Sequence, residues 1–68
     1  MDTHEIIYYT VEDSSGFIFE EFDTLKEAKE WFDENKDEDM EFICGFKQIR
    51  DEDEDVLDEI VIYEEKVK

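Results

Sequence analysis

The chain has 68 residues, of which 24 are Asp or Glu and seven are Lys or Arg, for a formal net charge of −17. That length holds a single domain, residues 1–68, and folding at this size buries only about 60 % of the surface that the open chain exposes. The charge excludes unaided binding to nucleic acid or to anionic lipid, both of which need a basic face.

No apolar run approaches the ~20 residues of a membrane span. The opening Met1-Asp2-Thr3-His4-Glu5 lacks the basic segment and apolar stretch of a secretion signal. A lone cysteine, Cys44, cannot form an internal disulfide, so a reducing cytoplasm is the expected setting. High charge with a mean hydropathy of −0.74 is compatible with disorder. Against that stand an aromatic content of 15 %, the absence of proline, and apolar clusters with clear periods, which together favour a fold.

His4 to Glu12, rich in β-branched and aromatic residues, reads as a strand. Asp13-Ser14-Ser15-Gly16 is a turn in which Gly16 supplies the positive φ of a hairpin loop. Phe17 to Phe22 returns as a second strand. Thr24 with Glu27 forms a capping box at a helix start. Leu25, Ala28, Trp31 and Phe32 make its apolar stripe, and the helix ends near Asn35, a residue tolerant of the left-handed conformation. After a loop at Asp37-Glu38-Asp39, Glu41 to Arg50 is a third strand, in which Gly45 implies a bulge or a close backbone approach. Asp51 to Asp55 connects it to a fourth strand from Val56 to about Glu64. The expected architecture is α+β, ordered β-β-α-β-β, with a four-stranded antiparallel sheet and the helix on one face.

Such a sheet should alternate apolar and polar residues. Here both faces are apolar: Ile6 and Tyr8 oppose Ile7, Tyr9 and Val11; Phe17 and Phe19 oppose Ile18 and Phe22. Phe42, Cys44 and Phe46 oppose Ile43 and Ile49, and Leu57, Val61 and Tyr63 oppose Ile60 and Ile62. One helix covers one face, so the other points to a partner or to a homodimer formed through the uncovered sheet, unless bulges shift the register or the rings lie flat among acids.

Catalytic chemistry finds little support. His4 has no Ser or Cys beside it, Cys44 lies in acidic surroundings that disfavour a thiolate, and 68 residues hardly enclose a cleft between two carboxylates. There is neither a glycine-rich phosphate loop nor zinc-ligand spacing, so no enzyme activity, no catalytic residue and no cofactor are expected. Asp51-x-Asp53-x-Asp55 imitates the start of a calcium loop, but Val56 and Ile62 stand where that motif carries its glycine and its bidentate glutamate. Weak, nonspecific attraction of cations is the expectation there, without a metal site.

The acidic surface is the strongest signal. A compact chain of this length has a radius of gyration of roughly 11 Å and a diameter near ~28 Å. The same length of duplex DNA carries about 16 or 17 charges, against 17 in excess here. Acids two apart on a strand lie ~6.6 Å apart and acids four apart on a helix ~6 Å, near the roughly 7 Å between phosphates on one strand. The acids in position to act this way are Glu27, Glu30, Asp33, Glu34 and Asp37 of the helix and its end, and Asp51, Glu52, Asp53, Glu54 and Asp55 of the loop.

In size, charge, unpaired cysteine and absence of catalytic residues, the chain resembles the small acidic inhibitors encoded by bacteriophages and mobile elements. Many of those mimic DNA against restriction enzymes, CRISPR effectors, uracil-DNA glycosylase or nucleoid proteins. The resemblance is one of type over the whole chain and transfers no residue. It implies a non-enzymatic inhibitor in the host cytoplasm that occupies the basic nucleic-acid-binding cleft of a host protein. The competing expectation is a protein-interaction or structural module that pairs through its sheet, with acid serving only solubility.

Overall fold

In the computed structural model, which describes residues 2–36 and 39–67, the expected elements form in the expected order. They are β1 (Thr3–Glu12), β2 (Ile18–Phe22), α1 (Leu25–Asn35), β3 (Phe42–Asp51) and β4 (Val56–Lys66). The four strands make one antiparallel sheet ordered β2-β1-β3-β4, a small α+β domain. The central strands β1 and β3 pair from Thr3↔Asp51 to Glu12↔Phe42 without a break. The crossover between the two hairpins carries α1, which packs over β1, β2 and β3.

Thr24 caps α1 as expected from sequence. Its backbone is extended and its hydroxyl oxygen accepts the Glu27 amide at 3.2 Å. The return bond differs from a full capping box: the Thr24 hydroxyl donates to the Glu27 carboxylate at 3.1 Å. The other end departs from expectation more. Asn35 does not turn left-handed; it stays helical and its side-chain amide donates to the Trp31 carbonyl at 2.9 Å, so the last turn is satisfied from within.

Val11, Ala28, Met40 and Ile43 are buried at the centre of the core, with Tyr9, Phe22, Leu25, Trp31, Phe32, Tyr63 and Val67 packed around them. An 11-residue helix is ~16 Å long, whereas a ten-residue strand runs ~33 Å. The helix therefore covers one half of the sheet, where Val11 and Ile43 lie, and does not reach the half around His4, Arg50 and Val56. The body is accordingly long, 44 × 22 × 16 Å, with a radius of gyration of 13.2 Å. The near-spherical shape of roughly 28 Å expected from length is corrected by this half-covered sheet.

Strict alternation of faces fails at three places because the ladder is bulged, one of them between Ile49 and Arg50. The β3–β4 register shifts between Gly45 and Phe46, so Gly45 pairs with Tyr63 but Phe46 with Val61. Tyr63 then faces the helix while Val61 faces away, although simple alternation puts them on one side. A shift between Val11 and Glu12 likewise frees Phe19 from the β1–β2 ladder, and it packs on the core.

Gly45 serves both purposes its position implied. It lies at the bulge, and a Cβ there would stand 2.6 Å from Cε1 of Tyr9 and 3.0 Å from Cβ of Tyr63. Gly45→Ala must displace the Tyr9 ring from the core edge and is expected to destabilise the fold by about 1–3 kcal/mol. Urea denaturation measures it, and an unchanged midpoint would show that the ring moves freely.

Candidate functional site: an acidic body with an apolar edge

Both ends of the long body carry acid. The outer face of α1 exposes Glu27, Glu30, Asp33 and Glu34. At the far end of the sheet the β3–β4 loop exposes Glu52, Asp53, Glu54 and Asp55, while Asp51 is half-buried. The two groups of acids inferred from sequence therefore lie at opposite ends and do not form one cluster. Asp37 lies outside the described residues.

Several of these carboxylates have structural duties. Asp51 Oδ1 accepts the amides of Asp53 and Asp55 at 2.9 and 3.0 Å, closing the loop. Asp13 does the same in the first hairpin, accepting the amides of Ser15 and Phe17 at 2.8 and 2.9 Å and the Ser15 hydroxyl at 2.7 Å. The Ser15 hydroxyl, followed by those amides, holds the Asp13 carboxyl below its ordinary range. The loops match further: Gly16 with φ 92° and Glu54 with φ 67° occupy the same left-handed position. Glu54, strained for a residue with a side chain, is held by Arg50 at 3.3 Å and by His4 at 3.2 Å. Glu27 belongs to the helix cap and Glu30 stands 4.0 Å from Lys26. Asp33, Glu34, Glu52, Asp53 and Asp55 are exposed.

Five of the seven basic side chains stand beside carboxylates. Lys26, Lys29, Lys47, Arg50 and Lys66 each stand within 4.0 Å of a carboxylate, namely those of Glu30, Glu65, Glu5, Glu54 and Glu41. No basic patch interrupts the negative field among these residues. Over 44 Å a duplex carries about 26 phosphate charges, whereas the chain's excess of 17 averages one per about 2.6 Å. The elongated shape thus lowers the charge density below the parity expected from a compact chain, to about two-thirds of DNA's.

The face away from the helix is organised by polar contacts rather than left bare. Tyr8 stacks on Phe46 with ring centres 5.3 Å apart. The Tyr8 hydroxyl donates to Glu59 at 3.0 Å, and Gln48 donates to the other Glu59 oxygen at 3.0 Å. Arg50 Nη2 donates to the Gln48 carbonyl at 2.7 Å. Beside this network a shallow groove of about 410 Å³ runs between Tyr8, Gln48 and Arg50 on one side and Glu21 and Asp23 on the other. Glu12 accepts the Thr10 hydroxyl, and Thr10 and Cys44 lie buried beneath these side chains. No group of three or more His, Cys, Asp or Glu among the described residues is placed to hold a metal ion.

Burial, followed by the hydrogen bond and the charge of Glu59, pushes the Tyr8 hydroxyl up from 10.0 to about 12. Burial, followed by the charge of Glu12, pushes the Cys44 thiol up from 9.0 to about 11, which makes it a core residue and a poor nucleophile. A folded-state pKa above that of the open chain contributes stability that is complete below the unfolded value and lost as pH rises through the folded one. The domain is therefore expected to weaken between about pH 10 and 12, more steeply than the Tyr8→Phe variant. Parallel slopes in chemical denaturation across that window would contradict the Tyr8–Glu59 contact.

The large exposed apolar side chains are concentrated on β4: Val56, Leu57, Ile60, Val61 and Ile62, joined by Ile7, Phe17 and Ile18 elsewhere. Sequence reasoning placed an uncovered apolar surface on the sheet face, whereas the structure exposes it chiefly along one edge strand. The signal was present in the β4 sequence, but only the strand order makes that strand an edge. No helix among the described residues is long and apolar enough to cross a membrane. Comparison with protein-family models, with curated proteins and with solved structures finds no match for this chain.

Proposed function

We propose that the chain is a non-enzymatic inhibitor that occupies the basic nucleic-acid-binding cleft of another protein, acting in the cytoplasm as a mimic of DNA. The observation that supports this reading is the excess of acid on an elongated body: 17 excess charges along 44 Å, with five of the seven Lys and Arg standing beside carboxylates. A field of one sign over that length steers a basic cleft into encounter and repels nucleic acid. The binding acids are Asp33 and Glu34 with Glu30 at one end and Glu52, Asp53 and Asp55 at the other. Counter-defence against restriction or CRISPR effectors is the setting such an inhibitor would serve.

The test is capture from a host lysate on the immobilised chain, followed by elution with duplex DNA at constant salt. Release of an identified nucleic-acid-binding protein by the duplex supports the proposal. Captured protein that resists the duplex and leaves only with denaturant contradicts it.

A further inference from the structure

We propose that the outer edge of β4 receives an extended segment of the target as a fifth strand, apolar in its middle and carrying Lys or Arg toward both ends. The inference rests on the reading of the target as a basic protein and adds how it is held. β4 is the edge of the sheet and is 11 residues long; register shifts at Leu57 and Ile62 interrupt its outer row of backbone N–H and C=O groups and leave Asp58 to Val61 as a regular stretch between them. The opposite edge, β2, is only five residues and carries Glu20 and Glu21, the usual protections of an edge.

The centre of β4 is apolar and uncharged at Ile60 and Val61. Ile60 lies opposite Lys47 on the helix side of the sheet and Val61 opposite Phe46 on the other, and they are 44 % and 59 % exposed. Apolar residues on both faces are the composition of an internal strand. α1 packs over the other three strands, so the exposure is built into the architecture. Acids flank the central apolar run, with Asp58 and Glu59 before it and Glu64 and Glu65 after it.

The net charge of the chain decides the occupant, and the acids of the strand add to it. An antiparallel pair of two copies centred on Val61 sets Asp58 against Glu64 at two symmetric places. Moving the centre to Ile62 sets Glu59 against Glu65 instead. Like charges directly opposite destabilise a sheet, and each copy brings 17 further negative charges. A strand with basic residues at those places and apolar ones between completes both faces and the charge. Backbone pairing would hold in register a partner that electrostatics alone only attracts.

The probe is a nine-residue peptide with two lysines at each end and alternating valine and threonine between them, titrated into the full chain. Hydrogen exchange is expected to slow at β4 amides. Binding is expected to fall at least about ten-fold when the peptide is N-methylated on the edge that would pair. Val61→Lys should weaken it as well. An N-methylated peptide that binds as well as its parent would overturn the inference by reducing the contact to charge attraction. So would β4 amides that stay unprotected, or a chain that sediments as a dimer with β4 already protected. Target release by duplex DNA with an unprotected β4 sinks the edge and keeps the mimic; a paired β4 with a target that resists duplex does the reverse.

Discussion

Neutralising Glu30, Asp33, Glu34, Glu52, Asp53 and Asp55 together is expected to weaken binding to a duplex-displaceable target by about ten- to hundred-fold and to leave the fold intact. Each exposed charge pair is worth ~0–1 kcal/mol and is screened, so any one substitution should be nearly silent while six together sum to on the order of 2–3 kcal/mol. The association rate should carry most of the loss, because a field of one sign acts chiefly on encounter. Asp51, Glu54 and Glu27 are left out of the set because they close the loop, hold the strained turn and cap the helix. Surface plasmon resonance with both rate constants resolved measures the effect. Affinity and on-rate that stay at wild-type level would mean the acid serves solubility alone.

Salt should act on the free protein in the opposite sense. At 0.01 M ionic strength the screening length is about 30 Å, longer than the 22 and 16 Å cross-section, so charges repel across the whole body. At 0.15 M it is about 8 Å and only near neighbours interact. Relief of that repulsion should raise Tm by about 5 °C or more, the shift that ~1 kcal/mol produces in a domain of this size. A flat or falling Tm would show that ion pairs such as Lys47–Glu5 and Lys29–Glu65 outweigh the repulsion.

The strands and helix were legible from the sequence because local signals agreed: β-branched runs, the Thr24 cap, the Leu25-Ala28-Trp31-Phe32 stripe, and Gly16 at a turn. Gly45 announced a disturbance in β3, but its consequence, the opposite facing of Val61 and Tyr63, needs the pairing register. Glu54 gave no warning that it would take a left-handed conformation, since the position that glycine fills in the first hairpin is held here by side-chain contacts to Arg50 and His4. Met40 fell between the loop and the third strand in the sequence reading, yet it is buried in the core. The acids of the site were visible as residues, while their separation to opposite ends depended on how far a short helix reaches along a long sheet. That same mismatch of lengths explains both the elongated shape and the bare β4.

The most direct measurement is the equilibrium between the captured target, duplex DNA and this chain at fixed salt. A mimic and the duplex exclude one another, so the apparent Kd for duplex should rise in proportion to the concentration of added chain. A ternary complex, with the duplex Kd levelling off at a finite value while the chain stays bound, would contradict occupation of the nucleic-acid cleft.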